Sequence, residues 1–310
     1  SDVPDDPHFS GVAKAYFPEP IDQYGDAIEA HRLKREIIAT ILANRSLDMA
    51  GPAAFLRLRE LTGAESALVV RGLEAASAVL DYPNFLSSID ALDNKVPADL
   101  QADMKLDGVA AMADAAAWFV RNTPHMKVDE MVSRYHAPLD AFKKVIVDTQ
   151  SSFQAAAVER RARAFVKRGA PDKLARWATA MASFAEGLNI VSLSERSGVS
   201  VTDAAQSFFV VGDALRLDRL RASARAGLIK AGYWDRVAAR RLIADLQQQQ
   251  ASEAERVISL GGPSAWLDAR ADDRKRLVVM MGTLSKDRVW SFAKFALAAD
   301  ATRQFMNARS

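Results

Sequence analysis

The sequence predicts an all-α fold, a multi-helix bundle with long antiparallel helices. Apolar residues recur at alternating spacings of three and four over long stretches, which is the pattern of helices with one buried face. Only 15 Gly and 11 Pro occur in 310 residues, too few for a turn-rich β architecture. No sustained period-two alternation bounded by turn residues is found. Since 49% of the residues are apolar, the chain can bury a sizeable core.

The first helical pair surrounds Gly51. Gly51-Pro52 is expected to end one helix and open the next, and Gly63 to end the second. Asn44 lies three residues beyond Ile41, which places it on the predicted buried face, where an unpaired amide costs about 1–3 kcal/mol. We therefore expect Asn44 to tie two helices together by a hydrogen bond. The apolar positions of that face are Ile37, Ile38, Ile41 and Leu42.

Three longer apolar stripes predict the next helices. Pro97 and Asn122-Thr123-Pro124 are expected to bound the first helix, and Pro138 to kink or break the second. The stripes comprise Leu106, Val109, Ala113, Ala116 and Val120; then Met131, Tyr135, Leu139, Phe142, Ile146, Thr149, Phe153 and Ala156; then Leu174, Trp177, Met181, Phe184, Leu188 and Val191.

Shorter helices are expected from Tyr233 onward. Gly261-Gly262-Pro263 separates two of them, and Asp272-Asp273 is expected as an N-cap before Leu277. The tract Gln247 to Gln250 is predicted to be a solvated helix face. Residues 1–310 are thus expected to form one all-helical domain, with a candidate sub-boundary near residues 92–97.

Composition narrows the classes of partner. The 41 basic and 39 acidic residues give a net charge of +2. This charge does not indicate the strongly basic surface that binds nucleic acid or an anionic membrane. Zero Cys excludes disulfides and thiolate metal sites and fits a reducing cytoplasm. No apolar run approaches the roughly 18 residues of a membrane span. We expect a cytoplasmic location, with neither nucleic acid nor membrane as a partner.

A search for chemical motifs finds none. Neither G-x-G-x-x-G nor G-x-x-x-x-G-K-[ST] occurs, so no loop is available to hold a dinucleotide or a triphosphate. The four histidines His8, His31, His125 and His136 never fall at i, i+4 with an acidic partner. The acid pairs Asp129-Glu130 and Asp272-Asp273 open helices, where they complement the helix dipole. We predict no catalytic, cofactor-binding or metal-binding residue in this chain.

The segment from Leu193 to Ala205 suggests a rival function. It predicts two helices joined by a glycine-containing turn, which is the order of elements in a DNA-binding helix-turn-helix. The second helix argues against it, since Val201 to Val211 carries no Lys or Arg to read base edges and is strongly apolar. The following arginines, Arg216, Arg219, Arg221 and Arg225, are expected to form a solvated face with local ion pairs. The alternative left open is a stand-alone helical interaction module, with DNA binding as one form.

A second basic cluster precedes Gly169. As a group of cations at the end of a long helix, it is expected to offset the negative end of the helix dipole. A docking patch for an acidic surface of the parent chain or of another subunit is the alternative, and sequence does not separate the two. The cluster comprises Arg160, Arg161, Arg163, Lys167 and Arg168.

Three motifs near the start carry a resemblance. Tyr16-Phe17-Pro18 is followed by an H-x-L-[RK]-R-E-I-I-A-T run from His31 to Thr40 and an R-x-R-E-x-T-G-A run from Arg57 to Ala64. In this order they resemble the C-terminal helical region of the large bacterial NAD-specific glutamate dehydrogenases. Weaker matches follow at Tyr233-Trp234-Asp235 and in the Leu242 to Gln250 run ahead of Gly261-Gly262.

The resemblance implies a parent enzyme that oxidatively deaminates L-glutamate to 2-oxoglutarate and ammonium and passes hydride to NAD. It places the catalytic machinery upstream, so NAD belongs to the parent enzyme and this region is an architectural or regulatory domain. Its implied partners are the upstream catalytic domain and other subunits of a homo-oligomer. The chain opens on Ser1-Asp2-Val3 without Met, so we expect it to be excised from a longer polypeptide.

Overall fold

The structure is a computed structural model that describes residues 6–9, 27, 30–228, 230–284 and 291–308. No described residue lies in a strand, and the described part contains fourteen α-helices and one 3-10 turn, which confirms the all-α fold class. None of these helices combines the length and apolarity that crossing a membrane requires. The Tyr16-Phe17-Pro18 element lies outside the described residues.

The elements follow the chain in a simple order. After the 3-10 turn Pro7–Phe9 come α1 Lys34–Ala50, α2 Pro52–Thr62, α3 Ser66–Val79, α4 Tyr82–Asp90, α5 Ala98–Asn122, α6 Val128–Thr149 and α7 Ser152–Lys167. The second half of the chain contains α8 Asp172–Ser197, α9 Val201–Ala214, α10 Leu217–Gly227, α11 Tyr233–Ser259, α12 Pro263–Ala269, α13 Ala271–Leu284 and α14 Phe292–Asn307.

The chain divides into two compact units. Unit 1 comprises Ser1–Ala137 and Ala162–Glu186, and unit 2 comprises Pro138–Arg161 and Gly187–Ser310. Helices α6, α7 and α8 contribute residues to both. The stretch 92–97 lies within unit 1, between α4 and α5.

Unit 1 is built around α5. This helix packs against α1, α2, α3 and α4, most extensively against α3. Small residues make that approach close: a Cβ on Gly72 of α3 would lie 2.8 Å from Val120 Cγ2 and 2.9 Å from the Ala116 carbonyl oxygen of α5. Gly108 likewise leaves room for the ring of Phe85. Nearly every residue of α3 from Val69 to Val79 is buried, so the contact between α3 and α5 lies in the interior of this unit.

Unit 2 is built around α11, which packs against α9, α10, α12 and α14. One apolar cluster joins α10, α11 and α14 through Ala224, Ala239, Ile243, Leu246, Phe295 and Ala299.

Several helix ends lie where the predicted signals place them. Gly51 and Gly63 end α1 and α2 with φ of 76° and 70°, and Pro52 stands in the first turn of α2. Pro97 is the N-cap of α5 and Thr123 its C-cap. These five residues therefore begin or end helices as the sequence indicates.

The prediction that Asn44 is buried was wrong. Asn44 is exposed, because the buried row of α1 advances in steps of four through Ile38, Leu42, Ser46 and Ala50. Each step of four residues turns about 40° beyond one full turn of the helix, so the buried row moves gradually around the helix axis. The position three residues beyond Ile41 therefore lies on the face opposite this row. Within the part of the chain that the structure describes, Asn44 forms no hydrogen bond to another helix.

The stripe predicted for α5 is displaced by part of a turn. Leu106 was expected in the core but its side chain is 64% exposed, and Ala116 and Val120 are the buried members of the predicted set, while Val109 and Ala113 are half-buried. The buried face instead follows Met104, Gly108, Ala111 and Ala115, and Gly108 leaves room for the Phe85 ring of α4.

The helix predicted to run from Met131 to Ala156 is two helices, but Pro138 does not divide them. Helix α6 continues through Pro138 to Thr149, and α7 begins at Ser152. Ser151 causes the break because its Oγ accepts a hydrogen bond from the Gln154 N–H at 3.2 Å, as an N-cap does. The third stripe is confirmed in α8, where four of its positions are buried and Trp177 and Phe184 are half-buried.

Candidate functional site

The four histidines occupy separate elements. His8 Nδ1 lies 2.7 Å from Asp129 Oδ1 in the first turn of α6. His31 Nδ1 accepts a hydrogen bond from the Leu33 N–H at 3.2 Å, a contact within one short turn. Across residues 6–9, 27, 30–228, 230–284 and 291–308, no group of three or more His, Asp or Glu side chains is arranged to hold a metal ion.

The two acid pairs lie in the first turns of α6 and α13. Asp129-Glu130 is placed as predicted. Asp272-Asp273 was expected at an N-cap, but Ala271 already begins α13, so the pair occupies the first turn instead. Their carboxylates still complement the positive end of the helix dipole.

The turn that resembles a helix-turn-helix is present as a packing element. Gly198 follows α8 with φ of 65°, and the Ser200 Oγ caps α9 by accepting from the Asp203 N–H at 3.1 Å. Helix α9 buries Phe208, Phe209 and most of its apolar residues. This confirms that α9 is a core helix.

The basic cluster at the end of α7 is mostly exposed, but Arg168 is committed to α5. Its guanidinium donates to Asp103 at 2.6 Å and to Asp99 at 2.9 Å. Arg160 and Lys167 are exposed on α7. Arg168 therefore joins two helices of unit 1 rather than only capping its own.

Unit 1 contains one buried carboxylate of note. Glu74 of α3 is nearly fully buried, and Arg45 of α1 lies 2.9 Å from it while remaining 48% exposed. Burial raises the pKa of the Glu74 carboxyl above its ordinary value of 4.5, against the smaller lowering effects of Arg45 and His8. Folding thus favours the neutral form of this group.

Unit 2 contains a fully buried ion pair in α10. Arg221 Nη2 donates to Asp218 Oδ1 at 2.7 Å, and the two side chains are only 5% and 3% exposed. The other Asp218 oxygen accepts from the Ser151 hydroxyl at 2.7 Å. The expectation that Arg221 belongs to a solvated face was wrong, because it lies on the same helical row as the buried Leu217 and Ala224.

Gln250 completes this network. Its Oε1 accepts from Arg221 Nη1 at 2.5 Å, and its Nε2 donates to the Phe208 carbonyl at 2.8 Å. Gly212 of α9 leaves the necessary space, since a Cβ there would lie 2.6 Å from Gln250 Nε2. The glutamine tract was predicted to be solvated, and this is wrong for Gln250, which is fully buried.

A second network surrounds Glu253, one turn further along α11. Trp266 Nε1 donates to Glu253 Oε1 at 2.8 Å, and Arg256 Nη1 donates to Glu253 Oε2 at 3.1 Å. Arg270 Nε lies 3.8 Å from the same carboxylate. The two arginines also donate to the last carbonyls of α14, which they cap; these belong to Phe305, Met306 and Ala308.

Beside this network lies a cleft of about 360 Å³ between α11 and α14. It is polar and of mixed charge, and its lining includes Glu253 and Arg256, which are held by the hydrogen bonds described above. The remaining lining residues are Asp245, Gln248, Gln249, Ser252, Arg303, Met306 and Asn307.

A sequence signal for the buried polar groups exists. Ile243, Leu246, Gln250, Glu253 and Val257 follow one another at spacings of three, four, three and four, the period of a helical seam, and all five are buried. Two polar residues inside an apolar seam indicate buried hydrogen-bonding groups.

Three curated relatives resemble this chain, and each is named NAD-specific glutamate dehydrogenase. That of Halomonas elongata is 28% identical over 307 residues, covering 96% of this chain and 19% of the relative. That of Pseudomonas aeruginosa is 26% identical, covering 98% and 19%, and that of Mycobacterium tuberculosis is 26% identical, covering 71% and 14%. The chain thus spans at most about a fifth of the length of these relatives.

A family model described as "Glutamate dehydrogenase, C-terminal" matches residues 1–304, nearly the whole chain. This all-helical chain therefore belongs to the glutamate dehydrogenase C-terminal family.

Proposed function

We propose that residues 1–310 form the all-helical C-terminal domain of a longer NAD-specific glutamate dehydrogenase. The parent enzyme would oxidise L-glutamate with NAD⁺ and water, releasing 2-oxoglutarate, ammonium, NADH and a proton. In this enzyme the domain serves an architectural or regulatory role. One observation supports the proposal most directly. The alignment with the Halomonas elongata relative covers 96% of this chain but only 19% of that relative, as expected for one domain of a longer enzyme.

We assign no catalytic, NAD-binding or metal-binding residue to this domain. The sequence has no glycine-rich phosphate-binding loop, and NAD needs one to place its pyrophosphate at a helix N-terminus. The buried charged groups of unit 2 are also hydrogen-bonded within the protein. Asp218 pairs with Arg221, and Glu253 accepts hydrogen bonds from Trp266 and Arg256. Groups that hold the core together in this way are unsuited to proton transfer with a substrate.

The partners we propose are the catalytic part of the same polypeptide and other subunits of a homo-oligomer. Near-zero net charge supports leaving nucleic acid and anionic membranes out of this set. The absence of Cys supports a cytoplasmic location, where thiol chemistry is reducing.

The test has two arms. The isolated chain, assayed for glutamate-dependent NAD⁺ reduction at 340 nm, is expected to show no turnover. The parent enzyme without the equivalent residues is expected to lose solubility, assembly or activity, each measured against the intact enzyme. Turnover by the isolated chain, or a truncated parent that is fully active and assembled, would contradict the proposal.

The rival, a stand-alone interaction module that binds DNA, is tested separately. Since α9 offers no Lys or Arg to base edges, binding of the chain to random duplex at about 0.15 M salt should not exceed that of a neutral protein. A nanomolar, sequence-selective gel shift that Arg216→Ala and Arg219→Ala abolish would favour the rival.

A further inference from the structure

We propose that the cleft between α11 and α14 of unit 2 binds a small zwitterion, a molecule that carries one carboxylate and one ammonium group. This inference rests on the residues of unit 2 alone. It stands or falls independently of the parent enzyme proposed above.

The cleft offers an uncommitted carboxylate for the ammonium group. Asp245 is exposed on α11, and its side chain has no hydrogen bond or ion pair within the part of the chain that the structure describes. Arg303 lines the same cleft from α14. A free carboxylate at the wall of a cleft can accept a charge-assisted hydrogen bond from an ammonium ligand, which is stronger than a neutral one.

Two guanidinium groups are available to the ligand carboxylate. Arg303 lies 3.7 Å from Asp300, beyond hydrogen-bond length, and remains 43% exposed. Among the described residues, Arg256 donates through Nη1 only, to Glu253 and to the Met306 carbonyl, and its side chain is 48% exposed. Since a guanidinium has five N–H donors, Arg256 keeps donors at Nη2 and Nε for a carboxylate, and its position is already fixed.

Neutral polar groups between these charges complete the site. Gln248, Gln249 and Ser252 line the cleft and add amide and hydroxyl groups, which can donate to a carboxylate or accept from an ammonium group. The cleft volume of about 360 Å³ falls at the small end of the usual range for ligand sites, about 300–1,000 Å³.

Charge balance selects a zwitterion over a simple anion or cation. The lining contains two carboxylates, Asp245 and Glu253, and two guanidiniums, Arg256 and Arg303, so its formal charge is zero. A ligand with one net charge meets as many like charges as opposite ones. A zwitterion can place each of its groups beside the opposite sign.

The experiment is isothermal titration of the 310-residue chain with glycine, β-alanine, γ-aminobutyrate and L-glutamine, which differ in the spacing or bulk around the two charged groups. Acetate and methylammonium chloride, at matched ionic strength, supply each charge alone. At least one zwitterion is expected to bind saturably, while acetate and methylammonium are not. Asp245→Asn and Arg303→Gln should each weaken that binding about tenfold or more, since each removes one charge-assisted contact.

The matched control variants are Asp268→Asn and Arg276→Gln. Asp268 is exposed on α12, and Arg276 has an aspartate, Asp273, three positions before it, as Arg303 has Asp300, but neither Asp268 nor Arg276 lines the cleft. Both should keep the wild-type affinity, and circular dichroism should show all four variants folded. The proposal is overturned if no zwitterion binds, if acetate or methylammonium binds as tightly, or if the cleft variants bind like the controls.

Discussion

Unit 1 and unit 2 each surround one long helix, but their interiors differ. In unit 1, α3 meets α5 through glycine and alanine, and the buried Glu74 has a half-exposed arginine as its cation. In unit 2, α10 and α11 are joined by Asp218, Arg221 and Gln250, all removed from water. The first interior depends on close contact between backbones and the second on satisfied polar groups. Substitutions should therefore damage the two units by different mechanisms.

The largest expected effect concerns the polar interior. Arg221→Met leaves Asp218 buried without its cation and Gln250 Oε1 without a donor, so the free energy of unfolding should fall by about 3–5 kcal/mol. Urea denaturation measures this. The matched control is Arg225→Met, at an exposed position of the same helix, which should change stability by no more than about 0.5 kcal/mol. Equal stability of the two variants would show that the buried pair contributes nothing.

The next effect concerns the close-packed interior. Gly72→Ala adds a methyl group 2.8 Å from Val120 Cγ2 and 2.9 Å from a backbone oxygen, so overpacking of about 1–3 kcal/mol should outweigh the helix-propensity gain of about 1 kcal/mol. Gly282→Ala in α13 is the control, because a Cβ there meets no described residue within 4 Å. It should raise the thermal midpoint while Gly72→Ala lowers it. A rise for both would mean that α3 and α5 can separate freely.

A smaller, pH-dependent effect is expected at Glu74. Burial raises the pKa of this carboxyl in the folded state, so its contribution to stability is full below 4.5, the unfolded value, and is lost as pH rises through the higher folded value. The difference in unfolding free energy between wild type and Glu74→Gln should therefore fall from pH 4 towards pH 7. Denaturation at several pH values measures it, and a difference that grows with pH would contradict the assignment.

The smallest effect is expected at Asn44. Since Asn44 is exposed on α1, Asn44→Leu should change the free energy of unfolding by no more than about 0.5 kcal/mol, not the 1–3 kcal/mol of a buried amide that loses its bond. Thermal denaturation of the variant measures it. A loss above 1 kcal/mol would restore the buried position for Asn44.

Sequence reasoning located the helices better than it located their buried faces. Residues such as Gly51, Pro97 and Gly198 act through local backbone geometry, so their effect can be read without knowing the neighbours. Which face of a helix is buried depends on the neighbour that packs there. This is why Leu106 was placed in the core although Gly108, two residues away, admits the adjacent helix.

The buried polar groups were missed for a related reason. Arg221 and Gln250 are hydrophilic residue types, and single-residue preference places them at the surface. Their burial depends on each other and on Asp218, in helices separated along the chain. The break at Ser151 has the same origin, since Ser151 both caps α7 and donates to Asp218. The cleft beside Glu253 combines residues from α11 and α14 and has no local sequence signature.

Gln250 is the last of four consecutive glutamines, and it alone among them is fully buried. The number of glutamines in this tract therefore determines which residue takes the buried position of Gln250. Inserting or deleting one glutamine would rotate every later residue of α11 by about 100° and shift it by about 1.5 Å. Glu253 and Val257 would leave the seam, and the arginines that cap α14 would lose their anchor. The number of glutamines thus fixes how the residues after the tract are rotated relative to those before it in α11, the longest described helix. Insertion or deletion of one glutamine should therefore be far less tolerated than substitution of the exposed Gln248.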